Sequence, residues 1–193
     1  MRDFKQFYYK MLLESPKRGG EFIPMESETE NARIIYNNII ENSTNYKLVY
    51  TTKDGTPIDI WEEVDGNDYT IYFVPKNGDD FIYGYVTYEL FDDGGIETTS
   101  VYNRPIYHGL AQLVYNKYLI PTYRYVMSNS IHSNDGRKFW EKLVMWNIGS
   151  RKIEIWDNIN QKPIQNVRKL SELVNYYGNS DDFENLRIKI YQH

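Results

Sequence analysis

Cysteine is missing from all 193 residues. Its absence excludes a disulfide framework, a thiolate nucleophile and sulfur-ligated zinc together. Only three histidines occur, His108, His132 and His193, and their spacing matches no metal-ligand motif. Acidic turns such as Asp79-Asp80 and Asp181-Asp182 lack an EF-hand pattern, so no metal is expected. Long apolar runs are missing too, and none approaches the roughly 18–20 residues of a membrane-spanning helix. Residues 1–20 carry Arg2, Asp3, Lys5, Lys10 and Glu14, too many charges for a secretory signal. The expectation is a soluble, cytoplasmic protein with no membrane contact. There is no long basic block: 22 Lys and Arg face 27 Asp and Glu, for a net charge of −5. Non-specific nucleic-acid binding depends on phosphate neutralisation, so this balance disfavours it without excluding it. Neither a P-loop nor a Gly-x-Ser-x-Gly elbow is present.

What the chain has in excess is tyrosine, nineteen residues of it. Tyrosine suits half-buried strands and wet clefts, which favours sheet over disorder. Hydrophobic content of 41% and charged content of 25% are ordinary for a globular chain. The length favours one domain, 1–193, able to bury a core unaided.

Periodicity divides the chain. Phe4, Phe7, Tyr8, Met11 and Leu12 recur at helical spacing and end at Ser15-Pro16. Ser27-Glu28-Thr29-Glu30 is a capping box opening a second helix with the stripe Ala32, Ile35, Tyr36, Ile39 and Ile40. The period then falls to two, predicting strands over 46–52, 58–64, 69–74, 81–91 and 96–102, separated by turns at Asp54-Gly55, Gly66-Asn67, Asn77-Gly78 and 92–95. Pro105 presets a helix carrying Leu110, Leu113 and Val114 up to Pro121. A short strand over 123–128 leads to a second helix with Phe139, Trp140, Leu143 and Val144 on its apolar face, closed by Gly149. That succession is a βαβα unit and implies at least one parallel strand pair. The tail predicts a strand over 151–156, a hairpin through 158–163, a helix over 168–177 and a final strand with Leu186, Ile188 and Ile190.

Two features can carry chemistry. The turn Tyr107-His108-Gly109-Leu110-Ala111 opens a helix directly after a strand, where unpaired amides and the helix dipole favour an anion. Gly109 removes a side chain at the closest approach, and Arg104 can add a counter-charge. The segment Ser128-Asn129-Ser130-Ile131-His132-Ser133 follows a strand end, where open α/β sheets bind ligands. An ordinary βα turn and a structural loop histidine are the plainer alternatives.

Together these two elements resemble the GNAT superfamily of N-acetyltransferases. The family's acyl-CoA signature, Arg/Gln-x-x-Gly-x-Gly/Ala, falls on Ile106 to Ala111, and its later Tyr-x-Lys-Leu run falls on Trp140-Glu141-Lys142-Leu143. The pattern Ser-Asn-x-x-His-Ser-x-x-Gly-x-x-x-Trp-x-Lys-Leu, from Ser128 to Leu143, is similar to small GNAT-like proteins of bacteriophages. The resemblance implies an α+β, GNAT-like mixed and mainly antiparallel twisted sheet with two N-terminal helices and the central βαβα unit. Its core would span about 32–156, followed by a C-terminal β/α extension over 157–193. It implies acetyl-CoA as cosubstrate, held by Val101, Arg104, Tyr107, His108, Gly109, Leu110, Ala111 and Trp140. Glu97, His132 and Ser133 are the implied catalytic residues, acting on a small-molecule or protein amine, with a homodimer left open. If the chain is phage-encoded, its place would be the host cytoplasm. Two departures count against catalysis. Ile106 stands where the family has Arg or Gln, and Trp140 offers no phenolic proton. A scaffold that binds without catalysing, or a virion-associated protein, is therefore the alternative.

Overall fold

In the computed structural model the described residues are 37, 46–51, 55, 57–76, 82–103, 109–129, 134–174 and 185–193. The two N-terminal helices expected from periodicity lie outside them, except Asn37, which is helical. The described fold is α+β, with few helices against one mainly antiparallel sheet.

The two-residue alternation becomes a meander of β1 (Tyr46–Thr51), β2 (Pro57–Asp65), β3 (Asp68–Pro75), β4 (Gly84–Leu90) and β5 (Ile96–Asn103). Each pairs antiparallel with the next. The strand expected over 81–91 is shorter, because Tyr83 still belongs to the bend before it. Register puts Ile60, Phe73 and Gly84 on one face and Trp61, Tyr72, Tyr85 and Tyr102 on the other. Gly84 is required there, since any Cβ would run into the Tyr102 carbonyl and the Phe73 ring.

Three further strands continue the sheet beyond the meander. These are β6 (Tyr125–Met127), β7 (Ile153–Asp157) and β8 (Lys162–Asn166). The last strand, β9 (Leu186–Tyr191), inserts between β6 and β7, giving the order β1-β2-β3-β4-β5-β6-β9-β7-β8. Residues 157–193 thus supply an interior strand. Ile190 pairs with Val126 on one side and Ile153 on the other.

The expected βα crossover is present, and β5 runs parallel to β6. Its helical part begins with α1 (Leu110–Val114), widens to a π turn at Tyr115–Leu119 and finishes in α2 (Ile120–Thr122). Ile120 N–H reaches back five residues to the Tyr115 carbonyl, and Pro121 next to it has no N–H to offer. The second crossover helix, α3 (Asn134–Asn147), buries Trp140, Leu143 and Val144 and ends before Gly149, at φ +84°. Both helices lie on one face of the sheet. Tyr115 meets Phe139 and Trp140 edge-on, with ring centroids 5.0 and 5.7 Å apart. The main core forms between these helices and Ile58, Ile60, Phe73, Val86, Val126 and Ile190. A short α4 (Leu170–Val174) packs beside α3.

Candidate functional site: the fork between β5 and β6

The sheet opens where the parallel contact between β5 and β6 ends. Only Ile96 with Val126 and Glu97 with Met127 are paired. Beyond them the two strands separate, β5 towards α1 and β6 towards α3. A bulge sits at the point of separation. Thr87 of β4 pairs with Ser100, but Tyr88 pairs with Thr98, which leaves Thr99 as the extra residue. At the apex the buried Thr98 hydroxyl donates to the Met127 carbonyl at 3.2 Å. Farther out, Asn129 Nδ2 donates to the Thr99 carbonyl at 3.1 Å, a side chain standing in for a strand that is not there.

The two faces of the fork differ. On the helical face Tyr115 is fully buried and its phenol makes no hydrogen bond. Burial raises its pKa, while the nearby Thr98 hydroxyl acts in the opposite direction without cancelling the rise. On the other face Glu97 Oε1 accepts from Arg187 Nε at 3.1 Å. Burial also raises the Glu97 pKa and outweighs the lowering by Arg187, with the facing Glu89 adding to the rise. Glu97 ends a cross-strand row of carboxylates, Asp65, Asp68 and Glu89 being the others. They lie side by side at strand spacing and do not converge. Among the described residues no three His, Asp or Glu form a metal-binding group.

The far end of β5 leads to the start of α1. Gly109 precedes the helix at φ +90°, a backbone state that glycine adopts without strain, and no side chain of its own caps the helix. The first amide with a helical acceptor is Leu113, which donates to Gly109 O at 3.0 Å. With the Asn103 amide turned so that its oxygen faces the helix, it accepts from Ala111 N–H at 3.2 Å. This cap was not foreseen, because Asn103 lies on the strand and its distance from the helix in sequence fits no capping pattern.

The implied site residues therefore divide into several groups. Glu97, Val101, Gly109, Leu110 and Ala111 border the fork or its upper end. Leu110 and Ala111 are buried, so they can act only through their backbone, while Val101 is exposed. Trp140 is a core residue, 4% exposed and packed edge-on against Tyr115. Ser128 is committed to the sheet, since its N–H donates to Ile188 O and its hydroxyl accepts from Ile188 N–H, both at 2.9 Å. Arg104, Tyr107, His108, His132 and Ser133 lie outside the described residues. Sequence reasoning missed Asn103, Tyr115 and Arg187. Tyr115 is not among the stripe residues Leu110, Leu113 and Val114 that the helical spacing picks out, and Arg187 lies 90 residues from its partner.

No helix among the described residues is long and apolar enough to cross a membrane. No protein-family model matches this sequence, and no curated protein matches it either.

Proposed function

We propose that the protein is an acyl-CoA-dependent N-acyltransferase of the GNAT type that transfers acetyl to an amine. The observation that carries this is the fork, a sheet that stops pairing after two residues directly beside a helix start. The edge of β5 beyond Glu97 offers peptide groups to an extended ligand rich in amides, and such an edge recruits partners by strand-like pairing. The pantetheine arm of coenzyme A has that chemistry. From Thr98 to Asn103 is five residue-to-residue steps, about 16 Å of strand at roughly 3.3 Å per residue. An arm of pantetheine length can cover that distance. At its upper end the start of the helix favours phosphate, with Gly109 leaving the approach open. Asn103 now occupies the Ala111 amide, so an anion there would displace it.

The chemistry that the bound thioester supplies is an activated acyl carbon. The chain contributes orientation along β5 and α1. It also places Glu97, whose raised pKa suits a general base better than an ordinary carboxylate would. Two observations favour the alternative of binding without catalysis. Glu97 is engaged by Arg187, and residue 140 is a core tryptophan.

Calorimetric titration with acetyl-CoA and with CoA tests the proposal. Micromolar binding that Gly109→Glu weakens at least tenfold (about 1.4 kcal/mol) is the expected result. A circular-dichroism melt of the variant checks that it still folds. No binding at millimolar ligand would sink the proposal, and binding without transfer to any member of an amine panel would favour the scaffold.

A further inference from the structure

Building on the acyltransferase proposal, we infer that the Tyr115 phenol is a catalytic hydrogen-bond donor to the carbonyl oxygen of the acyl group held at the fork.

Native proteins rarely leave a buried hydroxyl without a partner, because it has given up water and received nothing in return. Tyr115 is fully buried and its Oη has no hydrogen bond. Repacking offers it no relief. The ring is held edge-on by Phe139 and Trp140, and it sits at the first position of the π turn, which continues α1 where that helix packs on β4 and β5. Its polar neighbour Thr98 turns its hydroxyl proton to Met127 O and makes no hydrogen bond with the phenol. One O–H donor therefore remains unused at the apex where the two strands part. The unoccupied partner has to be an acceptor.

Burial also decides what kind of donor this is. It keeps the phenol protonated through the neutral range, so Tyr115 donates a hydrogen bond and retains its proton. In the transfer, the amine nitrogen forms a bond to the acyl carbon and the carbonyl π pair moves onto oxygen. The pair on oxygen then re-forms the carbonyl as the carbon–sulfur bond breaks, sulfur leaves as the thiolate with the bonding pair, and the proton shed by nitrogen passes to Glu97 or solvent. A fixed donor in a dry site counts most when that oxygen gains charge, so its effect falls on the transition state.

Tyr115→Phe tests the assignment with readouts besides turnover. Deleting an unpartnered hydroxyl leaves the melting temperature unchanged or higher, whereas a hydroxyl with a structural role would lower it. CoA, which has no acyl group, should bind parent and variant within about threefold of each other. The infrared carbonyl stretch of bound acetyl-CoA should lie lower in the parent than in the variant. Turnover should fall by about 100-fold, with KM changed far less. An unchanged carbonyl frequency, or turnover within about threefold of the parent, overturns the assignment of Tyr115 alone. Failure of the parent to bind CoA overturns the acyltransferase proposal and this inference with it.

Discussion

Asn129 reaches across the fork to the Thr99 carbonyl at 3.1 Å, making with its side chain the link that β6 no longer makes with its backbone. A ligand that pairs with β5 must compete for that carbonyl. Asn129→Ala should therefore strengthen CoA binding by about three- to tenfold, the worth of roughly one ordinary hydrogen bond. Its cost in stability should stay near 1 kcal/mol or below, because the bond is exposed. Titration calorimetry and urea denaturation measure the two effects. Weaker binding would mean that Asn129 contacts the ligand itself.

A second polar cluster lies under the π turn. Glu62 is 2% exposed and accepts from Tyr88 at 2.6 Å and from Tyr118 at 3.3 Å. Tyr88 also shares a 2.7 Å hydrogen bond with Tyr123. Tyr88→Phe would leave the carboxylate with its shortest donor gone, which should cost about 1.5–3 kcal/mol. The same cluster sets an alkaline limit. Burial first, then Glu62 and Tyr123, push the Tyr88 pKa far above its ordinary 10.0. A raised folded-state pKa gives stability that is complete below the unfolded value and is lost as pH climbs beyond it. The urea midpoint should therefore fall as pH rises through about 10, and it should fall less steeply in Tyr88→Phe. Parallel slopes for the two proteins would refute this.

Gly95 and Gly94 provide a local contrast at the start of β5. A Cβ on Gly95 would overlap the Tyr125 ring, whereas one on Gly94 would only touch Arg124 Cβ at 3.9 Å but at a φ of +83°. Gly94→Ala should cost about 1 kcal/mol from backbone strain alone. Gly95→Ala should cost more, about 1–3 kcal/mol, because Tyr125 must move. The damage should spread, since Tyr125 lies 3.6 Å from the Lys189 ammonium and bonds Asp93 at 3.0 Å. Denaturation of the Gly95→Ala/Tyr125→Ala double mutant should show strong non-additivity. Additive losses would mean the ring is not the obstacle.

Much of this architecture was legible in the sequence because it is written in short-range pattern. The meander follows from alternation punctuated by turn residues such as Gly66-Asn67, and the parallel pair follows from a helix placed between two strands. What was not legible depends on long-range pairing. Nothing local in Leu186 to Tyr191 says that the strand inserts between β6 and β7. The fork is equally hidden, because two strands that stop pairing leave no mark on either sequence. Tyr115 was read past for a related reason. Only the packed structure shows that its hydroxyl was left without a partner.

The Glu97–Arg187 pair turns the question of a general base into one about pH. Two influences of Arg187, its charge and its hydrogen bond, lower the Glu97 pKa, while burial and Glu89 raise it. Arg187→Met removes both lowering influences and keeps the side chain long and apolar. If Glu97 takes the amine proton, it must be ionised to act, so activity should fall as pH drops through its pKa. The acid limb of the pH–rate profile should then move to higher pH in Arg187→Met and disappear in Glu97→Gln. Glu89→Gln removes a charge that raises the pKa, so it should move the limb slightly the other way. Stability has to be followed alongside, because the Arg187 side chain is only 8% exposed and Glu97→Gln takes away the carboxylate charge it faces. For that reason Arg187→Met is the cleaner probe, and Glu97→Gln is read only where its melt is still cooperative. An acid limb that stays in place in Arg187→Met would remove Glu97 as the base.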